Sequence, residues 1–173
     1  FLTTGYIGRH NRWDASPGPR FRHLNWSHIR EMAGDGIWFG SNGVNHTFLT
    51  RQSDSAARYE IEASKKQLED AIGQPVRFFS YPYGDYDARI VNFVREAGYE
   101  AAFSLRPELL EAGGIGGRAS VYALPRIAIY LLDNMRAFKA KVGYLRNGSL
   151  PYTQKLKNRL INRCAYASML VKG

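Results

Sequence analysis

The chain alternates short apolar runs with longer stretches in which apolar residues recur every three or four positions, and turn residues separate the two. The short runs mark strands, and the longer pattern marks amphipathic helices. Ile37 to Ser41 reads as a strand that gives way at Gly40 to a polar loop holding Ser41, Asn42, Asn45 and His46. The best-marked helix follows. Thr50 or Ser53 caps it, Asp54 sits near its positive end, and Tyr59, Ile61, Ala63, Leu68, Ala71 and Ile72 form an apolar stripe. Glu60, Glu62, Lys65, Lys66, Glu69 and Asp70 are expected mostly outside that stripe, and Gly73 with Pro75 closes the helix.

The same reading covers the rest. Phe1 to Thr4 ends a strand, and Asn25 or Ser27 caps a short helix through Met32 and Ala33 that Gly34 or Gly36 stops. Val76 to Tyr81 predicts a buried strand, followed by Pro82-Tyr83-Gly84 and a helix over Ala88 to Ala97 capped by Asp85 or Asp87. Tyr99 to Ser104 is the next strand, a glycine-rich loop runs from Leu105 to about Ser120 and includes Gly113 to Gly117, and Arg126 to Tyr130 is a further strand. Asp133 is expected to cap a helix through Val142, ended by Gly143, and a last basic helix runs from about Thr153 to Val171. Strands alternating with helices, with few hairpin signals, predict a parallel α/β sheet or barrel.

A length of 173 residues suits one domain with a real core, and no apolar run is long enough to span a membrane. The single cysteine, Cys164, excludes an internal disulfide and a cysteine-based metal cluster. The chain opens at Phe1 on what reads as the end of a strand, so a fragment lacking its N-terminal part is expected and the compartment stays open, envelope or cytoplasm. Charge is uneven. Residues 1–117 carry 13 Lys+Arg against 14 Asp+Glu, whereas residues 118–173 carry 11 against 1, so the excess of +9 comes from the last third. That asymmetry points to an anionic neighbour or to a solvated basic helix. No nucleic-acid motif accompanies the charge. The final helix sets Leu156, Leu160 and Ile161 against Lys155, Lys157, Arg159 and Arg163, a pattern that fits docking on the barrel or contact with an anionic membrane surface or glycan.

Candidate chemistry gathers at strand ends. Asn42 and His46 are four apart, which lets two side chains in a tight loop converge on one metal ion; imidazole nitrogen is a standard ligand and amide oxygen a weaker one. Thr3-Thr4-Gly5-Tyr6, the Ser41–His46 loop and Ser80-Tyr81-Pro82-Tyr83-Gly84 would share one face of a parallel barrel. A Pro-Tyr-Gly turn there could present backbone N–H groups and an aromatic wall to an oxyanion or sugar ring, or could simply join a strand to a helix. His10, His23 and His28 share no ligand spacing with His46, and no GK[ST] follows the glycine-rich loop.

Taken in order, FLTTGYIG, GSNGVNHTFLT, EIEASKKQLEDAIG, FFSYPYGDYD and AGYEAAFSL resemble the polysaccharide deacetylase family (carbohydrate esterase family four) over about residues 1–130. The resemblance implies an α/β fold: an incomplete distorted (β/α) barrel of parallel strands lacking its first strand or strands, over residues 1–145, with a basic helical extension over 146–173. It implies a hydrolase that removes acetyl groups from an acetylated polysaccharide, a carbon–nitrogen non-peptide bond in N-acetylated glycans, with a divalent metal, usually zinc, activating water and polarising the acetyl carbonyl.

Carried over residue by residue, His46 matches the second histidine of the family's G-S-H-[ST]-x-x-H segment, and Asn42 stands where the first is expected. Pro82, Tyr83 and Gly84 match R-x-P-[FY]-G, with Ser80 in the arginine's place. The Tyr83 backbone N–H would be the oxyanion donor, Pro82 and Gly84 would line the substrate site, and Arg126 is a candidate substrate contact or structural pair. The family's adjacent aspartates would lie upstream of Phe1, and its late leucine–histidine pair has no counterpart, since no histidine follows His46. These departures predict weakened metal affinity and weak or absent activity, with a non-catalytic glycan-binding or assembly protein on the same fold as the alternative.

Overall fold

The protein, here a computed structural model, is described over residues 1–10, 22–105, 121–127, 129 and 133–147. The predicted last basic helix and the glycine-rich loop lie outside the described residues. Among the described residues, four α-helices and three strands follow in the order α1 (Trp26–Gly34), α2 (Asp54–Ile72), β1 (Phe78–Ser80), α3 (Ala88–Glu96), β2 (Ala101–Ser104), β3 (Leu124–Pro125) and α4 (Met135–Asn147). The strands form one parallel sheet in sequence order, with Phe79 opposite Ala102 and Ser104 opposite Pro125. Parallel bridges from Ser41 to Phe79 and from Leu2 to Ser41 extend the ladder to two earlier segments. The result is an open parallel sheet with helices between its strands, part of a (β/α) barrel.

Local chemistry sets the helix ends. Asn25, Ser53 and Asp87 each accept a hydrogen bond from the backbone N–H three residues on, capping α1, α2 and α3. Gly73 closes α2 in the left-handed conformation. At the end of α1 the N–H of Gly36 donates to Ala33 and that of Ile37 to Met32, a Schellman arrangement with Gly36 at φ 89°.

The core lies between the sheet and helices α2 and α3. Leu49, Ala57, Ile61, Leu68, Phe79, Ile90, Val94 and Ala102 are its centre. Two buried tyrosines satisfy their hydroxyls on backbone carbonyls, Tyr99 on Ile61 at 3.0 Å and Tyr81 on Tyr122 at 2.8 Å.

Several expectations are corrected. Ile37 to Ser41 is not a strand; within it only Ser41 enters the ladder, while Ile37 and Trp38 are 47% and 72% exposed. The reason is that Ile37 is still bonded to the end of α1, so residues 37–39 climb from helix to sheet. Glu60 was expected outside the apolar stripe, yet it is only 4% exposed because it turns inward to bond a loop. The strand expected over Arg126 to Tyr130 ends before that range begins: β3 is Leu124–Pro125, and its partner β2 stops at Ser104. Asn134, not Asp133, caps α4 through the Ala137 N–H at 2.9 Å, because Asp133 is spent on a buried ion pair with Lys141. Gly143 does not end α4, which runs on to Asn147.

Candidate functional site

The loop after Ser41 is built from below by α2. The Ser41 hydroxyl donates to Ser64 at 2.6 Å and accepts from the Gly43 N–H at 3.2 Å. Glu60 Oε2 accepts from the backbone N–H groups of Val44 and Asn45, each at 2.8 Å, while Oε1 accepts from the Asn45 side-chain amide at 2.6 Å. The first segment of the chain clamps the other side: Thr4 N–H donates to Gly43 and Gly5 N–H to Val44. Gly5 is required there, since a Cβ would stand 2.6 Å from the Val44 carbonyl oxygen.

His46 and Tyr83 are the two non-glycine residues with positive φ among the described residues, at 57° and 58°. They touch. Their ring centroids lie 4.4 Å apart with the planes at 81°, and the other side of Tyr83 stacks on Phe48 at 4.3 Å. Left-handed non-glycine residues are uncommon and persist where the surroundings hold them in place. Burial of the imidazole pushes His46 down to about 4, so the ring is neutral near pH 7.

Pro82, Tyr83 and Gly84 form a single 3-10 turn at the end of β1. Gly84 sits at φ 71° and would place a Cβ 2.6 Å from the Leu105 nitrogen. Asp85 then reaches across to the residues after His46, accepting from the Thr50 N–H at 3.0 Å and from its hydroxyl at 2.8 Å. Arg89 adds to the tie by donating to the carbonyls of Leu49, Thr50 and Gln52.

Of the residues singled out from the sequence, the structure brings His46 together with Tyr83 and its turn. Asn42 lies in the same loop, with its backbone N–H on Leu2 at 2.8 Å and its Oδ1 buried without a hydrogen-bond partner among the described residues. The hydroxyls of Thr4 and Thr47 are buried and orphaned in the same way. Arg126 donates to the Ser80 hydroxyl at 2.7 Å. Glu60, Asp85, Arg89 and Phe48 were not foreseen. Glu60 was findable: Ala57, Glu60, Ile61, Ser64 and Leu68 are the buried positions of α2, and they fall on one helical face.

A neutral imidazole and an orphaned amide oxygen are two donors, and no group of three or more His, Cys, Asp or Glu side chains converges among the described residues. Zinc sites use three or four protein ligands, so the described residues alone do not fit a resident metal.

The family model for polysaccharide deacetylase matches residues 1–102. The Bacillus subtilis (strain 168) protein YxkH is 26% identical over 107 residues, covering 62% of this chain and 37% of that one. Among solved structures, IcaB from Ammonifex degensii superposes with a TM-score of 0.60 at 20% identity, covering 76% of this chain and 55% of that one. BC0361, a polysaccharide deacetylase from Bacillus cereus, gives 0.59 at 23%, covering 70% and 37%. The Streptococcus pyogenes deacetylase PplD in complex with acetate gives 0.57 at 23%, covering 62% and 46%. The chain thus spans little more than a third of the length of its curated relative, and the solved structures share its fold. The matched segment holds the Asn42–His46 loop and the Pro82–Gly84 turn, and its family is in general metal-dependent. This chain belongs to the polysaccharide deacetylase family.

Proposed function

We propose that this chain carries part of the site of a hydrolase that removes acetyl groups from an acetylated polysaccharide. The observation that carries the reading is the contact between His46 and Tyr83, each held in a left-handed backbone at the mouth of a parallel sheet. In this reading the Tyr83 N–H donates to the oxyanion that develops on the acetyl carbonyl, and its ring, backed by Phe48, borders the acetyl group. Pro82 and Gly84 hold that turn against the site.

His46 and Asn42 are the donors this chain would offer to a divalent ion, with zinc as the expected one. An amide in the place of an imidazole lowers the affinity of such a set by orders of magnitude. A weak hydrolase is therefore expected. The test is acetate release from acetylated chitin or peptidoglycan oligomers with zinc, cobalt or nickel added, for the native chain and for Asn42→His. Release that rises in the variant supports the reading; none with any ion, even in Asn42→His, overturns it.

A second reading, a non-catalytic glycan-binding or assembly protein, is favoured by Asn42 itself. It predicts oligosaccharide binding that a chelator leaves unchanged, and binding abolished by the chelator would remove it. The basic residues 153–173 are proposed to contact an anionic glycan or membrane surface, and vesicle co-sedimentation with and without them decides that point.

A further inference from the structure

We infer that α4 lies on an anionic lipid surface, with Met135, Phe138 and Val142 entering the acyl layer and Arg136 and Lys139 at the headgroups. In a helix of 3.6 residues per turn these three apolar residues fall within an arc of about 60°. All three are exposed, while Ala137 and Lys141, on the side turned to the body of the protein, are buried. Lys139 and Arg136 come next round the circumference and are exposed as well.

The opposite face of the helix holds this stripe outward. Asn134 caps α4, and Lys141 pairs with Asp133 inside the protein. Turning the helix to hide the stripe would separate that pair and leave a buried charge uncompensated, which is costly. Asp133 is also the one acidic residue among residues 118–173, against 11 Lys+Arg. Engaged with Lys141, it leaves that stretch no carboxylate for Arg136 or Lys139. Neither of these has one within salt-bridge distance among the described residues.

An exposed apolar stripe bordered by cations is the pattern of a helix that lies in a membrane interface. Charge selects among the possible occupants. A second copy of the chain would bring the same cations face to face. Residues 153–173 would set Lys155, Lys157, Arg159 and Arg163 against Arg136 and Lys139. An acidic glycan would satisfy the cations but offers no apolar layer for Phe138, whereas an anionic bilayer supplies both. With 13 residues α4 is about 20 Å long, shorter than the hydrocarbon core of about 30 Å, so it lies along the surface. Binding through α4 requires neither acetate release nor residues 153–173.

The test is co-sedimentation of the full chain with phosphatidylglycerol-containing vesicles and with phosphatidylcholine vesicles, at low and high salt. The native chain should bind the anionic vesicles and be released by salt, and should leave the zwitterionic ones in suspension. Phe138→Gln should weaken binding about tenfold. The double variant Arg136→Gln/Lys139→Gln should weaken it about thirtyfold. Arg30→Gln/Lys66→Gln removes as much charge from exposed positions of α1 and α2 and should bind as the native chain does. Met135→Gln, at another exposed position of the stripe, replaces Phe138→Gln should that variant fail to fold by circular dichroism. No binding to anionic vesicles, equal binding by the native chain and the α4 variants, or equal weakening in the α1 and α2 variant overturns the proposal. So does binding that is lost only when Lys155, Lys157 and Arg159 are changed to Gln. A native dimer that Phe138→Gln converts to a monomer would assign the stripe to a second copy and overturn it too.

Discussion

The imidazole of His46 meets the ring of Tyr83 edge-on, 4.4 Å between centroids, and both residues hold a backbone that side chains ordinarily avoid. A left-handed non-glycine residue costs about 1–2 kcal/mol. Tyr83→Gly should therefore be more stable than Tyr83→Ala by about 1 kcal/mol, since both lose the Phe48 stack but only glycine relieves the backbone. Urea denaturation of the two variants checks this, and equal midpoints would show that φ 58° carries no strain.

Glu60 holds the loop that carries Asn42 and His46. Replacing it by alanine leaves the Val44 and Asn45 amides without their acceptor and should cost about 3 kcal/mol, with Glu60→Gln costing less. Amide hydrogen exchange at Val44 and Asn45 should accelerate in Glu60→Ala ahead of the core amides around Phe79. Uniform acceleration across the sheet would mean that Glu60 acts on global stability instead.

Gly84→Ala tests the turn from its other end. The new Cβ would fall 2.6 Å from the Leu105 nitrogen at φ 71°, so backbone has to move. The expected loss is about 2 kcal/mol or more, read as a lowered urea midpoint, and an unchanged midpoint would show that the turn gives way without cost.

The sign of the pH response follows from His46. Its folded value, about 4, lies below the ordinary 6.5, so between these values the unfolded chain binds more protons than the folded one. The contribution is complete above pH 6.5 and is lost as pH falls through 4, amounting to up to about 3 kcal/mol. With a chelator present, His46→Gln should lose less stability than the native chain between pH 7.5 and pH 4.5. Parallel losses in the two proteins would refute the assignment.

The helices were readable because their ends are local chemistry: Asn25, Ser53, Asp87 and Gly73 act within a turn of where they stand. The neighbourhood of His46 and the Pro82–Gly84 turn could be read because strand ends of a parallel sheet share a face. What escaped depends on partners distant in sequence. Glu60 was placed with the solvent-facing charges because the backbone it bonds lies 15 and 16 residues away. Asp133 reads as a cap because nothing local reveals the ion pair with Lys141. Ile37 to Phe39 has strand composition, but the bond from Ile37 to Met32 keeps it tied to the helix before it.

Asp85 and Arg89 fasten the segment after His46 to the segment after Tyr83. Two walls joined in this way cannot swing apart as a hinged jaw would. Under the proposed reading, a substrate would meet a loop and a turn whose spacing is set before it arrives, which lowers the entropic penalty of recognition. Selectivity would then change through substitutions in the lining, with little contribution from loosening the frame.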